Sequence, residues 1–188
     1  MTDASRKGFG GRRATLVALL LVLVLAPAGR AYETPATLNE VARYYSLGVG
    51  EVRCDELAEW EADPYSMSYW GYTNVRWDYS VLAPRVCEGA LSVASPEVPA
   101  WQRAIGTLVL VHEAFHLRHW RFRRNEGKVE CQAMVYFTDA ARMLGASEAE
   151  ANNLYPYALA WHWRQTALFP WYRDAACLLP PWIAPTPI

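Results

Sequence analysis

The sequence predicts a mainly α-helical domain of the α+β class, with a small β-ribbon and two disulfides. Apolar residues recur at helical spacing in several runs, clearest in Ala133, Met134, Phe137, Ala140, Ala141 and Leu144. Residues 72–82 alternate instead, with Val75, Trp77, Tyr79 and Val81 on one face, which is the period of a strand or hairpin. The four cysteines, Cys54, Cys87, Cys131 and Cys177, all lie beyond an export-like leader, and an even count in an exported chain reads as paired.

The leader comes first. Arg6, Lys7, Arg12 and Arg13 make a basic start, and residues 14–26 form a Leu/Val-rich run. That run is short for a bilayer span and right for the apolar part of a signal peptide. Cleavage after Ala28 or Ala31 satisfies the small-x-small rule. Residues 1–31 are therefore predicted to be a signal peptide, with an uncleaved anchor as the alternative. The protein is expected to be secreted or held at the cell envelope, and to meet a membrane only if the leader stays. Residues 32–188 suffice for a single domain with its own core. A net charge of −1 argues against a nucleic-acid partner.

Along the domain, residues 38–47 have helical spacing, broken by Gly48-Val49-Gly50. Residues 51–61 are expected to form another short helix. Asp63-Pro64 opens an irregular aromatic stretch, followed by the ribbon at 72–82. An exposed edge strand can line a cleft and pair with an extended peptide. This ribbon is the candidate for that role, with simple stabilisation as its alternative. Residues 85–92 should be a short helix carrying Cys87, and residues 101–120 a long one. Three of the four residues at 121–124 are arginines, read as a solvated helix C-terminus, with recognition of an acidic or carboxylate-terminated substrate as the alternative. A helix is expected over 127–144, stopped by Gly145. Ser147 and Glu150 form a capping box that opens a helix to about residue 165, with Pro156 expected to kink or delay it. The Pro- and Trp-rich tail begins at Phe169. Of three possible disulfide connectivities, Cys54–Cys87 with Cys131–Cys177 is favoured, tying the N-terminal half together and pinning the tail. Nine tryptophans and eleven tyrosines are many for this length, and core filling is the simplest use for them.

The chemistry concentrates in His112-Glu113-Ala114-Phe115-His116, inside an apolar run. On a helix, His112 and His116 lie on one face and can direct two imidazoles at one metal ion. Glu113 projects beside that face, where a carboxylate can take a proton from an activated water. Arg118 interrupts the apolar character. The alternative is a buried helix with two histidines and no metal. A third ligand could come from His119, Glu126 or Glu130. Three histidines on one straight helix diverge along its axis. If the next helix folds back antiparallel, the position level with the His112/His116 midpoint falls near residue 131, so Glu130 is preferred. Glu126 is then the second choice or a supporting acid.

This arrangement resembles the gluzincin group of zinc metallopeptidases. More closely, His112-Glu113-x-x-His116 followed by Asn125-Glu126-x-x-x-Glu130-Cys131 resembles small secreted metallopeptidase-like proteins of actinobacterial type. The resemblance is sharp over residues 109–144. It implies a helical, zincin-like minimal domain, one zinc ion (Zn2+), and hydrolysis of peptide bonds in a peptide or protein substrate. Glu113 would be the general base. Tyr155, Tyr157 and His162 are candidates to stabilise the oxyanion. The connection between the two ligand helices is much shorter than in better-known gluzincins. Two other readings stand beside this one: a non-catalytic zinc-binding module, and a disulfide-stapled helical interaction module.

Overall fold

Helix α1 (Ala36–Ser46) follows Pro35 and buries Leu38, Val41, Ala42 and Tyr45. It ends where expected, in a left-handed turn at Leu47 and Gly48. The computed structural model describes residues 35–62, 70–118, 124–175 and 177. The expected leader at 1–31, the stretch 63–69, His119 and the arginines at 121 and 123 lie outside the described residues. Among those described, the protein is mostly helical with one three-stranded sheet and two disulfides. No helix among them is long and apolar enough to cross a membrane.

The segment expected to be a helix at 51–61 divides in two. Strand β1 (Glu51–Cys54) comes first, and helix α2 (Leu57–Ala62) follows. Val52 is fully buried, and its N–H donates to Asn39 Oδ1 at 2.8 Å. The ribbon forms as predicted, from β2 (Gly71–Asn74) and β3 (Tyr79–Leu82), paired antiparallel. β1 adds to it in parallel, giving the order β1-β3-β2. A free edge on β3 is what turns residues 51–54 into a strand, because pairing context outweighs local preference in short segments.

Helix α3 (Pro84–Leu91) starts with proline at its first turn and packs on α4 (Ala100–Arg118). Residues 104–117 of α4 are all buried, so this helix forms the centre of the core. Two glycines allow α3 and α4 to meet backbone to backbone. A Cβ on Gly106 would lie 2.4 Å from Ala90 N and 2.6 Å from Val86 O, and one on Gly89 would lie 2.2 Å from Gln102 O. Main-chain atoms cannot step aside as a side chain can. Gly106→Ala is therefore expected to cost about 2–3 kcal/mol, read as a lower urea midpoint at unchanged slope. An unchanged midpoint would show that the helices can separate freely.

The helix expected over 127–144 is broken into α5 (Glu126–Val135) and α6 (Phe137–Met143). Tyr136 lies between them with φ −97° and ψ 6°. Its ring packs on Tyr45 and Phe115, and its carbonyl accepts from the Tyr45 hydroxyl at 3.5 Å. Gly145 closes the segment with φ 105°. Helix α7 (Glu148–Leu168) begins with the predicted capping box, both reciprocal bonds being present. Pro156 does not delay its start, and the helix runs past it to Leu168. A 3-10 turn (Pro170–Tyr172) follows. The disulfides have the favoured pairing. Cys54–Cys87 joins β1 to α3, and Cys131–Cys177 pins the C-terminal segment to α5.

Candidate metal centre

His112 and His116 stand one turn apart on α4, both buried. Their Nε2 atoms are 3.1 Å apart. Glu126, in the first turn of α5, places Oε2 3.1 Å from His112 Nε2 and 3.3 Å from His116 Nε2. These three atoms form a nearly equilateral triangle. Ligands on one face of a tetrahedron with bonds of about 2.0–2.1 Å lie about 3.3–3.4 Å apart. The group His112, His116 and Glu126 could therefore hold a metal ion. The Glu126 side chain is 33% exposed, so solvent reaches this side of the triangle.

Glu130 does not occupy the position expected of it. Its Oε2 lies 2.9 Å from His112 Nδ1, on the far side of the ring from the triangle, and its Oε1 lies 3.2 Å from His162 Nδ1. Among the described residues it is Glu126, the second choice, that groups with His112 and His116 as a set that could hold a metal ion. Both acids face α4, since they are four apart on one helix. Counting backbone levels gave no information on which ring nitrogen each acid meets. A carboxylate against Nδ1, as Glu130 is here, fixes the ring of His112 and favours the tautomer that leaves Nε2 free.

The charges reinforce one another. Burial alone would lower the His112 pKa. Hydrogen bonds to Glu126 and Glu130, with the charges of Glu130 and Glu113, overcome it and raise the value to about 10. Burial alone would likewise raise Glu130, but its bonds to His112 and His162 bring it down to about 2. Glu126 is held well below the usual carboxylate range: burial opposes this, and bonds to His112 and His116 outweigh it. The site is built for positive charge, whether a proton or a metal ion.

Glu113 is buried beside the triangle. Its Oε2 accepts a 2.7 Å hydrogen bond from the Thr73 hydroxyl, which also lies 2.7 Å from the Ser80 hydroxyl. Thr73 and Ser80 are paired across β2 and β3, so the ribbon sets the orientation of Glu113. Two cavities open here. One, of about 200 Å3, is lined by Thr73, Glu113, His112, His116 and Glu126. The other, of about 400 Å3, shares His112 and Glu113 and reaches Glu130. Edge strand β2 contributes Gly71 to both.

Of the three oxyanion candidates, only His162 comes near the site, and it does so through Glu130. Tyr155 packs edge-on against Phe137, and burial raises its pKa. Tyr157 is exposed on α7. Neither tyrosine lines either cavity. Tyr155 shares a helical face with His162, seven residues on, but it packs two turns away against Phe137, whereas Tyr157 faces solvent. Sequence reasoning missed Thr73, Ser80 and Tyr172. Tyr172 stacks on His112 with ring centres 5.7 Å apart, and it lines both cavities. Thr73 and Ser80 meet only through the hairpin register, which the alternation of residues 72–82 did not reveal, and nothing in the sequence pointed to Tyr172.

Because His162 supports Glu130, His162→Ala is expected to weaken metal affinity about 10–100-fold without abolishing it. Competition against a chromophoric chelator measures this. An unchanged affinity would detach His162 from the site. Comparison with protein-family models, curated proteins and solved structures finds no match for this chain.

Proposed function

We propose that the protein holds one zinc ion through His112, His116 and Glu126 and hydrolyses peptide bonds, as gluzincin metallopeptidases do. The observation that carries this reading is the place of Glu113. A buried carboxylate is costly unless it has a use, and this one shares a cavity with the ligand triangle. When bound, zinc polarises a carbonyl and lowers the pKa of water. Glu113 is placed to take the proton from that water and pass it to the leaving amine. Thr73 holds Glu113 in orientation, and Glu130 holds His112. The β2 edge is placed to pair with extended substrate. An exported location agrees with the two disulfides, which form in oxidising compartments.

Elemental mass spectrometry on protein made in an oxidising compartment tests the centre. About one zinc per chain is expected in the parent. His112→Ala and Glu126→Ala should lose it, and Glu130→Ala should keep it at reduced affinity. No zinc in the parent after supplementation would overturn the reading. Loss in Glu130→Ala with retention in Glu126→Ala would exchange the roles of the two acids.

A further inference from the structure

The 400 Å3 cavity opens from His112 and Glu113 but has neither His116 nor Glu126 in its lining. Five of its walls are aromatic: Trp70, Trp161, Phe169, Trp171 and Tyr172. Trp70 and Trp161 meet edge to face with ring centres 4.8 Å apart, and Phe169 and Trp171 lie 5.3 Å apart. Its volume falls in the range, roughly 300–1,000 Å3, of cavities that enclose small organic groups. Three of the five rings belong to the short segment after α7. Cys131–Cys177 ties that segment to α5. Arg173 Nε fixes it further by donating to Thr166 O at 2.6 Å. Gly127 allows it to lie against the helix, since a Cβ there would stand 2.4 Å from Arg173 O. Despite this anchoring, Trp171 is 62% exposed and Phe169 37%. Large rings fixed in water beside a reacting carboxylate are a surface waiting to be covered.

We propose that this cavity selects the substrate. It takes a bulky aromatic side chain flanking the bond to be cut, and the disulfide-anchored C-terminal segment is the selecting wall. This rests on the peptidase reading above. Rings meet rings favourably edge to face or offset, and gain more than their buried area alone provides. Apart from His112, Glu113 and Glu130, whose carboxylate is already bonded to His112 and His162, the walls offer rings, aliphatic groups and a single amide, Gln165, so a charged side chain would lose most of its water there. The cavity shares His112 and Glu113 with the reacting end, so its occupant must belong to the molecule being cut.

The test uses the full chain as Glu113→Gln, which is expected to bind without turnover. Two capped pentapeptides, Ala-Ala-Phe-Ala-Ala and all-alanine, are titrated and followed by tryptophan fluorescence and NMR. The Phe peptide should bind about tenfold more tightly or better. Adding Trp171→Ala should make the two peptides equivalent, and Trp171→Phe should restore much of the difference. Trp171 is exposed, so its replacement leaves the core intact. Equal affinities in the starting protein, no binding of either peptide, or a preference that survives Trp171→Ala would overturn the proposal. Clear selection in binding, with no hydrolysis of either peptide by the parent, would support the pocket and sink the peptidase reading alone.

Discussion

Glu113→Gln is expected to keep its metal and lose about two to four orders of magnitude in kcat/KM on any peptide the parent cleaves. The substitution preserves shape. The amide oxygen still accepts from the Thr73 hydroxyl, which donates to Glu113 Oε2 at 2.7 Å. The ligand triangle is untouched, because Glu113 contributes no atom to it. What is lost is basicity alone, since a neutral amide cannot carry a proton from water to a leaving amine. Activity and zinc content should therefore separate cleanly in this variant. Undiminished hydrolysis would remove the general-base role. Loss of zinc along with activity would show that Glu113 supports the centre structurally.

Metal affinity should rise with pH by about tenfold per unit between about pH 7 and pH 9. A histidine binds metal only as the neutral ring, and the acids around His112 hold its proton up to about pH 10. Each metal ion must displace that proton, so about one proton should leave per ion bound. Calorimetry in buffers of different ionisation heat counts it. Without metal the dependence reverses. The His112 pKa is raised on folding, so its contribution to stability is full below about 6.5 and is lost as pH climbs through about 10. Glu130 is depressed, so its contribution is full above about 4.5 and is lost as pH falls through about 2. Metal-free protein should therefore unfold at its highest temperature near pH 4.5–6.5, and zinc should move that optimum upward. A metal affinity that is flat across pH 7–9 would show that His112 is already neutral there.

The parts of this molecule legible in the sequence are those fixed by local spacing. His112 and His116 share a face because four residues make about one helical turn. The capping box at Ser147 and Glu150 and the glycine stop at 145 are equally local, and all are present. The alternation at 72–82 became the hairpin. Features that depend on distant partners were hidden. Residues 51–54 are a strand because β3, far along the chain, offers an open edge. Helix α5 ends at Tyr136, whose surroundings come from α1 and α4. The choice between Glu126 and Glu130 turned on which imidazole nitrogen each acid faces, an atomic matter that residue counting does not reach. Thr73 and Tyr172 come from segments without any motif, brought to the site by the sheet and by a disulfide.

The two sides of the ligand triangle differ in how firmly they are held. His112 and His116 sit on a helix buried along residues 104–117. Glu126 begins a helix whose first turn is capped by an exposed Asn125–Lys128 bond of 2.9 Å, and its side chain is one-third open to water. Helix ends open far more often than buried helix centres. An ion held by the triangle would thus find its weaker restraint at the partly exposed Glu126 side chain, since the backbone of that turn is itself covered by the segment at Arg173. Release of an ion held there would then be governed locally, at the start of α5, rather than by unfolding of the whole domain.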